Sequence, residues 1–222
     1  LGLSSFITQS IILVLFVFMN NILTYLGSLS KFGADIPLSV YGVISKINSL
    51  FISTVLGISI GAQPIIGFNY GAGNLERVKE TLKRIIVINF IIGLVFNVLF
   101  IAFPEQIAGI FISANDESYS LFMEFAVLMC HSFMLLLCLN SFEMTTSISI
   151  QSLDNVKKST LITFIRQIIL FIPISLILAF PSGFGIKGVL YAGAVADVLC
   201  FVITIFIFRS EYVKLGKSIT TK

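Results

Sequence analysis

The chain has 222 residues, of which 57% are hydrophobic and 11% charged, with a formal net charge of +3. Its mean hydropathy is +1.04, whereas a soluble domain carries about a quarter charged residues and under about half apolar ones. Such a composition excludes most soluble enzymes, nucleic-acid binders and disordered chains, and it leaves room for about six membrane-spanning helices joined by short loops.

Apolar runs separated by charge and turn residues predict six spans, at about 4–27, 39–67, 85–103, 120–149, 160–180 and 187–208. The second and fourth exceed what a bilayer needs, which implies tilt or extension beyond the lipid. The two-residue alternation of membrane β-strands is absent from the sequence, so the expected class is an all-α membrane protein. The chain opens on Leu1 with no basic segment or cleavage site ahead of the first run, and reads as a fragment lacking its upstream portion.

Charge fixes the expected orientation. Arg77, Lys79, Lys83 and Arg84 fall between spans two and three, Lys157 and Lys158 between spans four and five, and Arg209, Lys214, Lys217 and Lys222 after span six. The opposite loops hold Lys31 and Lys187, and the loop at 104–118 is acidic through Glu105, Asp116 and Glu117. The positive-inside rule then places both termini, including a short tail at 209–222, in the cytoplasm of a multi-pass plasma-membrane protein. The net positive charge is topological and implies no nucleic-acid partner. Lys46, near the outer end of span two, reads as a snorkelling anchor.

Cys130, Cys138 and Cys200 lie inside apolar spans without CxxC spacing and read as small buried hydrophobes. His131 lacks acidic neighbours at ligand spacing, and no metal or cofactor is expected. No Walker lysine follows a glycine loop and no nucleophile motif appears, so the chain is not expected to be an enzyme.

Polar residues inside the spans are costly toward lipid and normally turn toward the bundle interior or a wet cavity. At 100° per residue, Gln9 and Asn20 fall within about 20° of each other on span one. Ser45, Asn48, Ser49, Ser59 and Gln63 keep within about 60° of one line on span two. Span four carries Asn140, Glu143, Ser147 and Gln151, and span five Ser159, Thr163, Arg166 and Gln167. Isolated hydroxyls read as interhelical glue. Gln9, Asn20, Asn48, Gln63, Asn140 and Glu143 read as the lining of a substrate or cation cleft.

Arg166 sits about 10 Å, and Asp197 about 16 Å, in from the same cytoplasmic side, so the two are expected to form a structural ion pair locking spans five and six. Glu143 shows no basic neighbour in the sequence and is expected to be the better candidate for a protonation event.

Span two ends in Gly57-Ile-Ser-Ile-Gly61-Ala-Gln63-Pro64-Ile-Ile-Gly67-Phe-Asn69-Tyr70-Gly71-Ala-Gly73. Gly57/Gly61 and Gly67/Gly71 are small-xxx-small pairs that permit close helix approach; Pro64 favours a kink, and Gly71 or Gly73 a left-handed helix cap. The motif Gln63, Pro64, Gly67, Asn69, Tyr70, Gly71, followed by Arg77-Val-Lys79, resembles the second-half signature of the multidrug and toxic compound extrusion (MATE) family. Gln151, Lys157-Lys158-Ser159, Arg166-Gln167, Pro173, Phe184-Gly185-Ile-Lys-Gly188-Val189 and Asp197 follow in that family's usual order. Ile150 stands where the family usually has Phe, and Asp154 where it usually has Gly.

The resemblance covers essentially the whole chain and implies the C-terminal lobe, helices seven to twelve, of a twelve-helix transporter. It implies multidrug efflux by antiport, exporting cationic amphipathic compounds in exchange for protons or sodium ions, with phenylalanines supplying cation–π contacts. The expected partners are those drugs, the bilayer and a missing N-terminal lobe. The helix-ten position that is acidic in some branches corresponds here to Asn140, and span one carries no acid. Two alternatives stand beside this reading: a lipid-linked saccharide flippase of the same superfamily, which would need a cleft richer in Arg and Lys, and a non-transporting six-helix fragment.

Overall fold

The computed structural model describes residues 2–113 and 116–220; Leu1, Ala114, Asn115, Thr221 and the predicted tail residue Lys222 lie outside the described residues. All regular structure among the described residues is helical. Helix α1 covers Gly2–Ser28, α2 Asp35–Gly71, α3 Leu75–Ala102, α4 Pro104–Gly109, α5 Tyr119–Ser132 and α6 Leu137–Ser152. Next come α7 Val156–Phe164, a π-helical stretch Ile165–Phe171, α8 Ile172–Ala179 and finally α9 Gly185–Thr220.

Five segments are long and apolar enough to cross a membrane: Phe6–Ser28, α2, α3, the continuous run Val156–Ala179 and Ile186–Leu215. Helices α5 and α6 qualify together, as a span bent by 55°. Large apolar side chains cover the outside, with Leu13 63%, Val98 60% and Phe206 68% exposed. A surface of that kind requires lipid rather than water.

Several predicted boundaries shift. The single span at 120–149 is two helices that break at residues 133–136. Neither Gly nor Pro marks this break. Ser132 Oγ donates back to the Leu128 carbonyl at 2.6 Å, a bond that bends helices. The ring of Phe133 packs edge-on to Phe171 and under Gly193, where a Cβ would meet the ring at 2.8 Å. The predicted tail at 209–222 continues α9 as helix through Thr220. Lys158 and Lys214 both pair with Glu211 there, and Lys79 lies over the Tyr212 ring at 5.1 Å, tying the helix ends on the basic-loop side together.

Pro64 does not interrupt α2, which runs helical from Asp35 to Gly71. The cap falls at Gly73, with φ of 75°, while Gly71 remains helical. Asn74 N–H reaches the Asn69 carbonyl at 2.8 Å and Gly73 N–H the Tyr70 carbonyl at 3.1 Å, the paired bonds of a Schellman cap. Helix α6 ends the same way: Asn155 N–H bonds to the Ile150 carbonyl and Asp154 N–H to that of Gln151. Asp154 occupies the left-handed position at φ 64°, where the family resemblance expects glycine. Aspartate is among the few L-residues that visit this region.

Of the paired glycines of α2, Gly67 alone meets another helix in this chain. A Cβ added at Gly57, Gly61 or Gly71 would meet open space, because these glycines lie on the exposed side of α2. Close approach occurs elsewhere. A Cβ on Gly93 of α3 would come within 2.7 Å of Cys138 Cα and 2.6 Å of Ser141 Oγ on α6, and one on Gly188 would run into the Leu178 carbonyl.

Two stability outcomes follow from this geometry. Gly93→Ala should destabilise the detergent-solubilised chain by about 1–3 kcal/mol, read by thermal melting, whereas Gly61→Ala should leave the melting of this chain on its own equal or higher. Asp154→Gly should raise stability by about 0.5–1 kcal/mol by relieving the left-handed backbone; a lower melting temperature would show that the aspartate side chain contributes more than its backbone costs.

Candidate functional site

The six residues grouped as a cleft lining separate in space. Gln9 is exposed on α1, while Asn20 on α1, Asn48 and Gln63 on α2, and Asn140 on α6 are half-buried. Glu143 is only 2% exposed and faces α7–α8 and α9 rather than an open surface. The Oδ1 of Asn48 and the Oε1 of Gln167 are buried without a hydrogen-bond partner, so both amides hold a free acceptor in the interior.

Within the motif at the end of α2, Asn69 is buried, its side-chain amide donating to the Ile65 carbonyl at 2.8 Å and its own carbonyl closing the helix cap. Gly67 brings α2 to the end of α6, where a Cβ would sit 4.0 Å from the Ser152 carbonyl. Tyr70 is exposed, as are Pro64 and Gly71. The motif thus shapes and caps the helix end and places Gln63 one turn deeper.

The strongest electrostatic feature joins α6, the π-helical stretch and α9. Arg166 donates from Nε to Asp197 Oδ1 at 2.8 Å, and its Nη2 lies 2.7 Å from the same oxygen. On its other side, Glu143 Oε2 lies 3.1 Å from Nε. That single N–H points at Asp197, so both Glu143 oxygens lack a hydrogen bond although the guanidinium charge is adjacent. Glu143, expected to have no basic neighbour, therefore shares Arg166 with Asp197.

The π-helical stretch brings this about. Pro173 has no N–H to give and its ring crowds the carbonyl four residues back, at Ile169, so the preceding turn widens. Arg166, the second residue of this stretch, stands at the seam between α6 and α9. Two carboxylates share one guanidinium, so only one of them has a counter-charge when ionised.

A second polar cluster escaped the sequence reading. Asn89 of α3 is fully buried; its Nδ2 donates to Ser59 Oγ of α2 at 2.9 Å and to Thr145 Oγ1 of α6 at 2.8 Å. Asn97 is 8% exposed, with its Oδ1 unpartnered. A signal existed: Asn89, Gly93 and Asn97 recur every fourth residue, one stripe of α3 facing α6. On span five, Ser159 meets Ser147 of α6, Oγ to Oγ at 2.9 Å. His131 is exposed and its Nε2 lies 3.0 Å from the Ile101 carbonyl at the end of α3. Cys130 and Cys200 are buried free thiols, and Cys138 a half-buried one.

Shared pairing predicts asymmetric mutational costs. Arg166→Gln strands two buried carboxylates and should cost about 3–5 kcal/mol. Asp197→Asn leaves the guanidinium with Glu143 and should cost clearly less. Chemical unfolding in mixed micelles measures both, and equal losses would mean that Glu143 does not sustain Arg166.

Comparison with known proteins places this architecture. The MatE family model matches residues 5–177. The probable multidrug resistance protein NorM of Pseudomonas putida is 26% identical over 158 residues, covering 68% of this chain and 33% of that protein. Among solved structures, a MATE transporter in complex with MaL6 matches at a TM-score of 0.87 and 22% identity, covering 98% of this chain and 46% of the other. A MOP-superfamily transporter from Pyrococcus furiosus, described as having a binding pocket of reverse polarity, matches at a TM-score of 0.86 and 21% identity, covering 97% and 46%. The chain spans about half the length of these structures and a third of the Pseudomonas protein, and its six-span bundle has the fold of one of their lobes. The chain belongs to the MatE family of membrane transporters.

Proposed function

We propose that this chain forms the C-terminal half of a plasma-membrane multidrug exporter that expels cationic amphipathic compounds in exchange for protons or sodium ions. The observation that carries the reading is the buried group Glu143–Arg166–Asp197, with one guanidinium for two carboxylates. A second ionised carboxylate there would be costly in a membrane interior, so Glu143 would hold a proton or another monovalent cation. Binding of that cation would then bias how α6, the π-helical stretch and α9 sit together, which is what coupling a conformational change to an ion requires. The printed name of the Pseudomonas relative supports multidrug compounds as cargo.

The second half of the transporter would pack on α2. One stripe of its exposed surface carries Lys46, Ser49, Ser53, Gly57, Gly61 and Pro64, small or polar groups poorly suited to lipid and well suited to a neighbouring helix. Gln63 and Asn48, flanking that side, would border the space between the halves, with Asn20, Gln9 and Asn140 contributing from α1 and α6. Basic residues on the loops after α2 and α6 favour a cytoplasmic placement of both ends of the chain.

Ethidium efflux from cells making the full-length transporter tests the assignment. Glu143→Gln and Gln63→Ala should each lower export about tenfold, equivalent to about 1.4 kcal/mol of lost differential binding. Export at the parent rate by both variants would overturn the placement of the coupling and cleft residues.

A further inference from the structure

A cavity of about 480 Å³ opens where the α1–α2 connection meets the α8–α9 turn, at the end of the bundle away from the basic loops. Its volume is that of a small-ligand pocket. Its walls are of two kinds. One wall is apolar, formed by Tyr25 and Phe180, whose ring centroids are 6.2 Å apart, together with Leu29. These side chains are 55%, 50% and 70% exposed respectively, so the apolar wall is open rather than filled by the protein. At the mouth stand two lysines with different engagements. Lys31 is held by both oxygens of Glu124, at 2.5 and 2.7 Å. Lys187 is exposed and makes no ion pair among the described residues.

Lys187 also sits in the first turn of α9, which opens at Gly185 on the cavity wall. The first backbone N–H groups of a helix have no intrahelical acceptor, and the positive end of the helix dipole adds to the lysine charge. Positive charge at the rim above an open aromatic wall is complementary to one kind of molecule, an amphiphile with an anionic head and apolar chains. A soluble anion would gain nothing from Tyr25, Leu29 and Phe180; an uncharged lipid would gain nothing from Lys187.

We propose that this cavity is a binding site for an anionic membrane phospholipid, its phosphate held by Lys187 and the first turn of α9 and its upper acyl chain lying over Tyr25 and Phe180. Bound there, the lipid bridges α1 to the α8–α9 turn. The proposal is independent of the transported substrate and of the coupling ion.

The full-length transporter in nanodiscs provides the test. Replacing part of the phosphatidylcholine by phosphatidylglycerol should raise the melting temperature by about 2–4 °C. Lys187→Gln and Lys187→Glu should melt with the parent in pure phosphatidylcholine and lose the increment, and inorganic phosphate should not reproduce it. An increment retained in both variants, or reproduced by phosphate alone, overturns the site. If the lysine variants fold poorly, Phe184→Trp supplies a local probe, read as the difference from the parent transporter, since this half contributes no tryptophan. Brominated phosphatidylglycerol should quench the added fluorescence more than brominated phosphatidylcholine does, and equal quenching by the two also overturns the proposal.

Discussion

A guanidinium stays charged wherever it is put, so an arginine inside hydrocarbon must bring its counter-charge with it. Arg166 meets that constraint by recruiting one acid from each of two other elements, Asp197 of α9 and Glu143 of α6. The arrangement binds three spans at one depth, and much of the surrounding packing serves it. Gly193, one turn before Asp197, admits the Phe133 ring. Phe133 in turn marks the bend between α5 and α6, and Phe171 closes the π-helical stretch beside it.

Around that point the bundle follows the logic of helix association in lipid, where apolar burial alone discriminates little between neighbours. Small residues set the closest approaches, at Gly93 against α6 and Gly188 against α8. Hydroxyls and amides add direction: Asn89 gathers Ser59 and Thr145 from the flanking helices, and Ser147 meets Ser159 across α6 and α7. Bonds of this class average about 0.6 kcal/mol in membranes. Their value here lies in fixing rotation, because each names the helix face that must turn inward.

Much of this was readable from the sequence and some was not, for identifiable reasons. Apolar runs mark where helices cross, and counting 1.5 Å per residue places Arg166 and Asp197 at neighbouring depths, which suffices to bring them together. Depth says nothing about rotation, and rotation decides the partner of Glu143. That partner depends on the widened turn before Pro173 and the break after Ser132, neither of which has a periodicity to read. The glycines of α2 show a related gap: spacing reveals that a helix can approach there, not which helix does. Asn89 and Asn97 were missed although their spacing of four with Gly93 was visible, because α3 is otherwise the most uniformly apolar of the spans. Asp154, a departure from the family pattern, is accounted for by a backbone angle that a side-chain comparison does not contain.

The π-helical stretch has one more consequence. A π turn holds more residues than an α turn, so side chains beyond it are rotated relative to the phase set before it. The fifth span is thereby keyed twice, α7 to α6 through Ser159 and α8 to the start of α9 through the Gly188 approach, with Arg166 at the change of phase. Returning one turn to α geometry would swivel α8 in its seat while α7 kept its own. Such a span seats its two ends in different registers, with the change of phase falling at its one arginine.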